Sequence, residues 1–160
     1  MDKTLFDYLQ KNEIHYILHN HDAVFTVQEA KEKSGSIPGL HCKNLFLKNS
    51  KTKTYFLVSL PATKNILLLD LSKKLQMKKL SFASPDELAE ILYLKPGSVS
   101  PFGLVNDNEN KVIFIIDNEV WSAKKVCFHP NVNTETLEID KTDFQKFVKT
   151  CGNTFEILDL

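Results

Sequence analysis

The sequence predicts an α+β fold, a single domain over residues 1–160 with a central mixed, mostly antiparallel, barrel-like β-sheet flanked by helices. Three observations predict it. Apolar runs of strand length, at 44–47, 55–60 and 112–116, recur through the middle of the chain. Helical segments with recognisable caps interrupt them irregularly, without the strict alternation of a doubly wound βαβ protein. With 42% hydrophobic and 25% charged residues over 160 positions, the chain has the composition and length of one globular domain with its own core.

Each element has a local reason. Leu5, Phe6 and Leu9 recur at helical spacing, so residues 3–12 open the chain as a helix, and "IHYILH" (14–19) follows as a strand. Thr26 can cap a second helix, with Glu29 three residues on and Gly35 as its stop. Segments 44–47 and 55–60 flank a polar, lysine-rich turn and read as a β-hairpin. "NILLLDLSKKLQ" has helical periodicity and a cationic end. In "ASPDELAEIL", Ser84 is the N-cap, Pro85 the first helical residue and Glu87 closes the capping box. Strands follow in "KVIFIID", "KKVCFH" and "TETLEI", then a helix from about Thr142 to Lys149 stopped by Gly152, and a final strand in "FEILDL".

Twenty basic residues balance twenty acidic ones, which excludes a global electrostatic attraction to nucleic acid but allows a local basic face. The clusters available for one are "LKNSKTKT" and "SKKLQMKK", runs that are otherwise ordinary solvated surface. Cys42, Cys127 and Cys151 are widely spaced and odd in number, which fits a reducing compartment. The N-terminus has no signal-peptide pattern, and the apolar runs are too short to cross a bilayer. The expectation is a cytoplasmic monomer with no membrane association.

Two glycines and two prolines, of five and six in the chain, fall within Lys95–Gly103, "KPGSVSPFG". Such a stretch can be a stiff turn whose successive backbone N–H groups form a nest for an anion or a developing oxyanion. It can equally be plain punctuation between a helix and a strand. It is neither a P-loop nor a dinucleotide fingerprint, and nothing else calls for a cofactor. Lys43 lies where a loop runs into an apolar strand, where it can hold a phosphate or carbonyl oxygen as a point charge or simply snorkel. His129 ends a strand before Pro130 and can orient a water or be satisfied by backbone. The pairs His41/Cys42 and Cys127/His129 lack the spacing of zinc knuckles, and His15, His19 and His21, which alternate along one strand face, are expected to have no acidic or thiol partners, so no metal is expected. No Gly-x-Ser-x-Gly elbow is present. Hydrolysis here would use water, backbone donors and a lysine on an activated bond such as an ester.

The segments "AVFTVQEA", "IPGLHCKNLFLK", "LSFASPDEL", "PGSVSPFGLVND", "FHPNVNTETLEI" and "FVKTCGNTFEILDL" occur in an order that resembles the YbaK-type aminoacyl-tRNA editing domains, which include the insertion domain of bacterial prolyl-tRNA synthetases. Within that family the chain looks most like the free-standing ProXp-ala (PrdX) group, from about residue 15 to the C-terminus. The resemblance implies hydrolysis, in trans, of alanine wrongly esterified to proline-specific tRNA, with the acceptor end as ligand and prolyl-tRNA synthetase as a candidate partner. It implies that Lys43 is essential; beside it, backbone N–H groups around Gly97–Ser100, those of Gly97, Ser98 and Ser100 among them, are expected to hold the aminoacyl group and stabilise the oxyanion, Pro101 to stiffen the loop and His129 to line the site. Phe25, Thr26, Val27, Asn44, Leu47 and Gly103 are the expected substrate-binding positions, with Phe46 and Phe56 assigned to the core. A cysteinyl ester as substrate, or a non-catalytic tRNA- or synthetase-binding module, are the competing expectations.

Overall fold

The computed structural model describes residues 1–23 and 36–160. The helix expected after Thr26, and with it Phe25, Thr26 and Val27, lies outside the described residues. Helix α1 (Lys3–Lys11) buries Leu5 and Leu9 and is capped by Asp2, whose carboxylate accepts from the Leu5 amide at 2.8 Å. Its C-terminal end wraps tightly: Glu13 takes φ 51° and the Ile14 amide donates to Leu9 O at 2.9 Å. Ile14 therefore packs into the core from the turn, and strand β1 begins later than expected, at Ile17–Asn20.

Strands β2 (Leu40–Asn49) and β3 (Thr54–Pro61) form the expected hairpin, longer at both ends. Asn49 turns it, its side-chain oxygen accepting from the amides of Lys51 (2.9 Å) and Thr52 (3.3 Å). Helix α2 (Leu68–Lys74) leads to a three-residue strand β4 (Leu80–Phe82), which the sequence did not reveal and which pairs with the far end of β2. Helix α3 (Pro85–Leu92) carries the complete Ser84–Glu87 capping box. Glu87 does more than cap: both carboxylate oxygens accept from Lys48 Nζ at 2.8 Å, and one from Tyr55 Oη at 3.0 Å. These donors, Lys48 first, pull its pKa down to about 2 and fasten α3 to the hairpin.

A 3₁₀ turn (Pro101–Asn106) precedes β5 (Val112–Asp117), a short helix α4 (Asn118–Ser122), β6 (Lys125–Phe128), β7 (Glu135–Asp140), α5 (Lys141–Cys151) and β8 (Phe155–Leu158). Gly152 ends α5 at φ 80°, the left-handed stop that glycine supplies without strain. The sheet runs β1-β7-β6-β2-β3-β5-β8, with β4 added to β2. Pairing is mixed: β2 is parallel to β6, as β5 is to β3 and β8, and the remaining ladders are antiparallel. Among the described residues its path is open, with β1 and β8 as ends.

Strand alternation separates two cores. Phe46, Leu57, Phe114, Val126, Phe128, Leu137 and Ile139 face the larger one, together with α1, α5 and the 3₁₀ turn. Leu47, Phe56, Val58, Leu60 and Ile115 face the smaller one, covered by Leu71 of α2. Among the described residues, no helix is long and apolar enough to cross a membrane.

Candidate active site

The site forms where two strands separate. Strands β2 and β6 run parallel only through Leu40–Val126 and His41–Cys127. Beyond those pairs β6 stops at Phe128, while β2 continues with β3 as its partner. The register brings Lys43 to the level of His129 and Asn44 to that of Pro130, on the two lips of the split. Val126 and Phe128 face the large core, so Cys127 and His129 point to the other face of the sheet, as His41 and Lys43 do on β2. Divergence of neighbouring parallel strands is a recurrent way to open a ligand crevice in a sheet.

The Gly97–Gly103 stretch spans this split and is bonded to both sides of it. Asn44 Nδ2 donates to Val99 O at 3.1 Å from the β2 side, and Asn131 Nδ2 donates to Phe102 O at 3.4 Å from the segment after β6. Within the stretch, Ser98 N donates to Lys95 O at 3.0 Å, with Pro96 and Gly97 (φ 85°) at the central positions of the turn. That is the type II arrangement, which needs glycine at its third residue. The Ser98 amide is thereby used, and the expectation that it faces a ligand is corrected. Ser100 is fully buried; its hydroxyl accepts from Phe102 N at 3.2 Å and its carbonyl from Gly103 N at 3.1 Å. Pro101 starts the 3₁₀ turn and has no N–H to offer. Among the described residues, this leaves the amides of Gly97, Val99 and Ser100 without a bonded acceptor.

Lys43 Nζ reaches Asn65 Oδ1 at 3.4 Å, and partial burial lowers its pKa from the ordinary lysine value. Asn65 was not foreseen. It comes from the loop after β3, which is tied to β2 by Ala62 N donating to His41 O at 2.8 Å. Next to it, Lys64 is clamped by Asp117 (2.9 Å) and Glu119 (2.6 Å), and Asp117 is buried. The clamp sets the loop's position, and so where Asn65 meets Lys43.

His129 is held neutral. Burial, then the neighbouring His21 and His41, bring its pKa down to about 4. The His21 and His129 rings lie 6.0 Å apart, and His21 is itself anchored by Thr136 Oγ1 at 2.9 Å. At neutral pH His129 is therefore a hydrogen-bonding imidazole and not a cation. The unfolded chain binds a proton at this histidine below about pH 6.5, while the native site resists until about pH 4. Stability must fall as pH drops through that window, by at most about 3 kcal/mol. We expect His129→Gln to flatten that part of the stability profile, measured as urea midpoints at pH 7 and pH 5.

The other histidines do have partners, across the sheet and not along the strand: His19 Nε2 meets Glu138 Oε2 at 2.9 Å, and Lys125 holds the other oxygen at 2.5 Å. Among the described residues, no group of three or more His, Cys, Asp or Glu is placed to hold a metal ion. Cys42, Cys127 and Cys151 are free thiols, and burial pushes Cys127 and Cys151 up to about 12, far from the thiolate a nucleophile needs.

Two expected substrate contacts are corrected. Leu47 is fully buried in the smaller core beside Phe56, Leu60 and Leu71 and has no face toward the split. Gly103 is a packing glycine: a Cβ there would come within 2.7 Å of Leu94 Cδ1 and 3.2 Å of Leu92 Cβ. Asn44 reaches the site and is oriented there by protein groups, its Oδ1 accepting from Ser59 Oγ at 2.5 Å while one N–H of Nδ2 goes to Val99 O, which leaves a second N–H.

Comparison with known proteins settles the family. Residues 21–147 match the model of the aminoacyl-tRNA editing domain. The chain belongs to the aminoacyl-tRNA editing domain family. As a member it is an enzyme of the aminoacyl-tRNA deacylase class. It is 37% identical over 152 residues to the prolyl-tRNA editing protein ProX of Acetoanaerobium sticklandii, across 95% of this chain and 93% of the relative. It is 36% identical over 143 residues to the prolyl-tRNA synthetase associated domain-containing protein 1 of Bos taurus, across 87% of this chain and 83% of that one. A solved structure described as a candidate trans-editing enzyme for prolyl tRNA synthetase superposes with a TM-score of 0.72 at 16% identity, covering 99% of this chain and 98% of the other. A structure described only as a hypothetical protein gives a TM-score of 0.74 at 17% identity, covering 96% and 97%.

The editing domain also gathers its lysines. Ser50 N donates to Lys79 O at 3.3 Å and Asn49 pairs with Leu80, so the two lysine clusters meet at the far end of β2. Lys51, Lys53, Lys78 and Lys79 are exposed there, with no carboxylate partner among the described residues.

Proposed function

We propose that this editing domain hydrolyses, in trans, the ester joining alanine to the 3′ end of proline-specific tRNA. The observation that carries the reading is the glycine-proline loop bonded across the β2–β6 split at Asn44, the residue after Lys43. Water attacks the ester carbonyl, the carbonyl oxygen takes up the negative charge, and collapse breaks the bond to the ribose oxygen, which leaves with a proton. The products are free alanine and uncharged tRNA. The amides of Gly97 and Val99, at accessible positions of the loop, receive the developing oxyanion, where preorganised donors act most strongly. Lys43 holds the terminal phosphate or the carbonyl oxygen as a fixed positive charge, and Gly97 and Pro101 keep the loop in shape. His129, neutral, lines the crevice. With every described cysteine inert and Ser100 buried in a cap, the chemistry needs no covalent intermediate. A free ribose hydroxyl of the substrate orients the water in place of a side-chain base.

Alanine makes sense as the target because a synthetase pocket built for proline excludes a smaller apolar side chain by only about 1–3 kcal/mol, so a second, hydrolytic site must supply the rest. Selection for small size falls to Phe25, Thr26 and Val27 in this reading. The domain acts in the cytoplasm as a monomer, with prolyl-tRNA synthetase, the source of the mischarged tRNA, as its natural partner.

The joined lysine patch suits the tRNA body. It lies six residues along β2 from Lys43, roughly 20 Å at about 3.3 Å per residue, the span of about six stacked nucleotides. Replacing Lys51, Lys53, Lys78 and Lys79 with glutamine is expected to raise KM for charged tRNA about tenfold near physiological salt and to flatten the log–log salt slope by about 3.

The test of the reading is deacylation of proline-specific tRNA charged separately with alanine, cysteine, serine and proline. Rapid loss of alanine with proline spared supports it. Loss of cysteine instead keeps the mechanism and changes the substrate, whereas no hydrolysis by folded protein leaves a binding module.

A further inference from the structure

We infer that Phe82 is a stacking platform for an unpaired base of the nucleic-acid strand that carries the ester. That the strand is a tRNA 3′ end rests on the function proposed above; the platform itself rests on the register of three strands. Strand β3 occupies one edge of β2, so β6 and β4 share the other. There β6 pairs at Leu40 and His41, and β4 at Leu47, Lys48 and Asn49. Between them, at residues 42–46, no described strand pairs with that edge. The crevice therefore has two ends, His129 after β6 at one and Phe82 of β4 at the other. Directly opposed residues of an antiparallel ladder share a face, and Phe82 is opposite Leu47. Leu47 lies four residues from Lys43, an even step, so Phe82 stands on the face that Lys43 occupies. The separation along the strand is roughly 13 Å at about 3.3 Å per residue.

Phe82 is 57% exposed, and among the described residues it packs into neither core. Its backbone is nevertheless held on both sides: Ser50 N donates to Lys79 O at 3.3 Å before β4, and Ala83 N to Phe46 O at 3.0 Å after it. An aromatic face on a fixed backbone loses little freedom when something stacks on it. Single exposed apolar residues are common and need no partner; position sets this one apart. Lys78 and Lys79 precede its strand, and the joined lysine patch begins two residues beyond Leu47, at the Asn49 turn. Lys43, the ring and the patch thus follow one another along β2. Leu45, half-buried on the same face, floors the interval between Lys43 and the ring. Cations for phosphates together with an aromatic ring for a base form the arrangement that binds single-stranded nucleic acid, because every base has a π-face. At about 3.4 Å per stacked nucleotide the interval holds about four, so the stacked base lies within the few nucleotides next to the ester. An apolar side chain of a protein partner is the competing occupant, and it has no use for the flanking lysines.

The test reads binding, independently of hydrolysis. Its probes are uncharged proline-specific tRNA and the same tRNA cut back to the end of its acceptor duplex, so that the unpaired 3′ nucleotides are missing. We expect Phe82→Ala to raise Kd for the intact tRNA about tenfold, the size of one lost base stack. The log–log salt slope should stay unchanged, because no phosphate contact is removed. The shortened tRNA should bind the variant and the unaltered protein alike. Phe82→Trp should keep the affinity, and Phe82→Leu, apolar without a π-face, should not. Urea midpoints are expected to be unchanged in all three variants, as an exposed side chain allows. Unaltered affinity in Phe82→Ala overturns the inference, as does an equal loss with both tRNAs. Full affinity in Phe82→Leu overturns it as well, since that marks an apolar contact and not a stack, and so does failure of the unaltered protein to bind the intact tRNA. Binding that depends on Phe82, in a protein that cleaves no ester, keeps the platform and removes the deacylase reading.

Discussion

Replacing Lys43 with alanine is expected to reduce deacylation by at least about a hundredfold while leaving the protein folded. The magnitude follows from what one well-placed donor or charge supplies to an oxyanion in a site partly shielded from water. The sparing of the fold follows from its contacts: Lys43 lies at the open end of the β2–β3 ladder, and among the described residues its ammonium reaches only Asn65, at 3.4 Å. Substitutions of that kind change stability by about 0.5 kcal/mol or less. Single-turnover hydrolysis and a urea midpoint, measured on the same preparation, check both halves. Wild-type turnover in the variant would remove Lys43 from the mechanism. Lys43→Arg is expected to rescue little, because a planar fork does not occupy the place of a compact ammonium. The pH profile carries a further sign. Burial lowers the pKa of Lys43 from 10.5, so activity that depends on the ammonium declines at lower pH than an exposed lysine would give.

Much of the fold was legible because its signals are local. The Ser84–Glu87 box, the Gly152 stop and the hairpin at Asn49–Thr54 each rest on residues a few positions apart, and each is found where the sequence placed it. The two elements that were missed are short. Strand β4 has three residues and α4 five, too few for a period to show, although Asp117 offers α4 an ordinary N-cap by accepting from Glu119 N at 2.8 Å. Leu47 misled for a different reason. Alternation places Phe46 and Leu47 on opposite faces, and an apolar residue facing away from a core invites a pocket; but β2 runs between two cores, and both faces are buried.

Lys43, Gly97–Pro101 and His129 can be singled out from sequence only through the family resemblance, because a glycine-proline turn and a junctional lysine by themselves read equally as punctuation and surface. Asn65, Ser59 and Asn131 could not, since their roles exist only across strands. Ser59 looks like any serine in an apolar run until the register sets it opposite Asn44. Asn131 left one trace, its place after His-Pro, where asparagine readily adopts the left-handed conformation it has here at φ 65°. Separation of β2 from β6 is the least legible feature of all, because it depends on where a parallel ladder stops, and no single residue marks that point.

Phe102→Ala is expected to have the largest effect on stability, about 3–5 kcal/mol. The ring is fully buried, 4.8 Å from that of Phe147 and 6.0 Å from that of Phe128 in edge-on contacts. Phe128 in turn stacks on Phe144 at 5.3 Å. Truncation therefore opens a cavity at the junction of the 3₁₀ turn, β6 and α5, with no side chain free to collapse into it. For a chain of this length such a loss lowers the melting temperature by about 10 °C. The site is affected through the same residue. Its carbonyl accepts from Asn131, its amide donates to Ser100 Oγ, and both bonds hold the loop over the split. Deacylation per folded molecule should then fall as well, even at temperatures well below the new midpoint. Phe102→Leu, which fills most of the cavity, should recover most of the stability. If Phe102→Ala unfolds earlier but its folded molecules hydrolyse at the unaltered rate, the core supports the domain without shaping the loop, and the loop's geometry must be held by the Asn44 and Asn131 bonds alone.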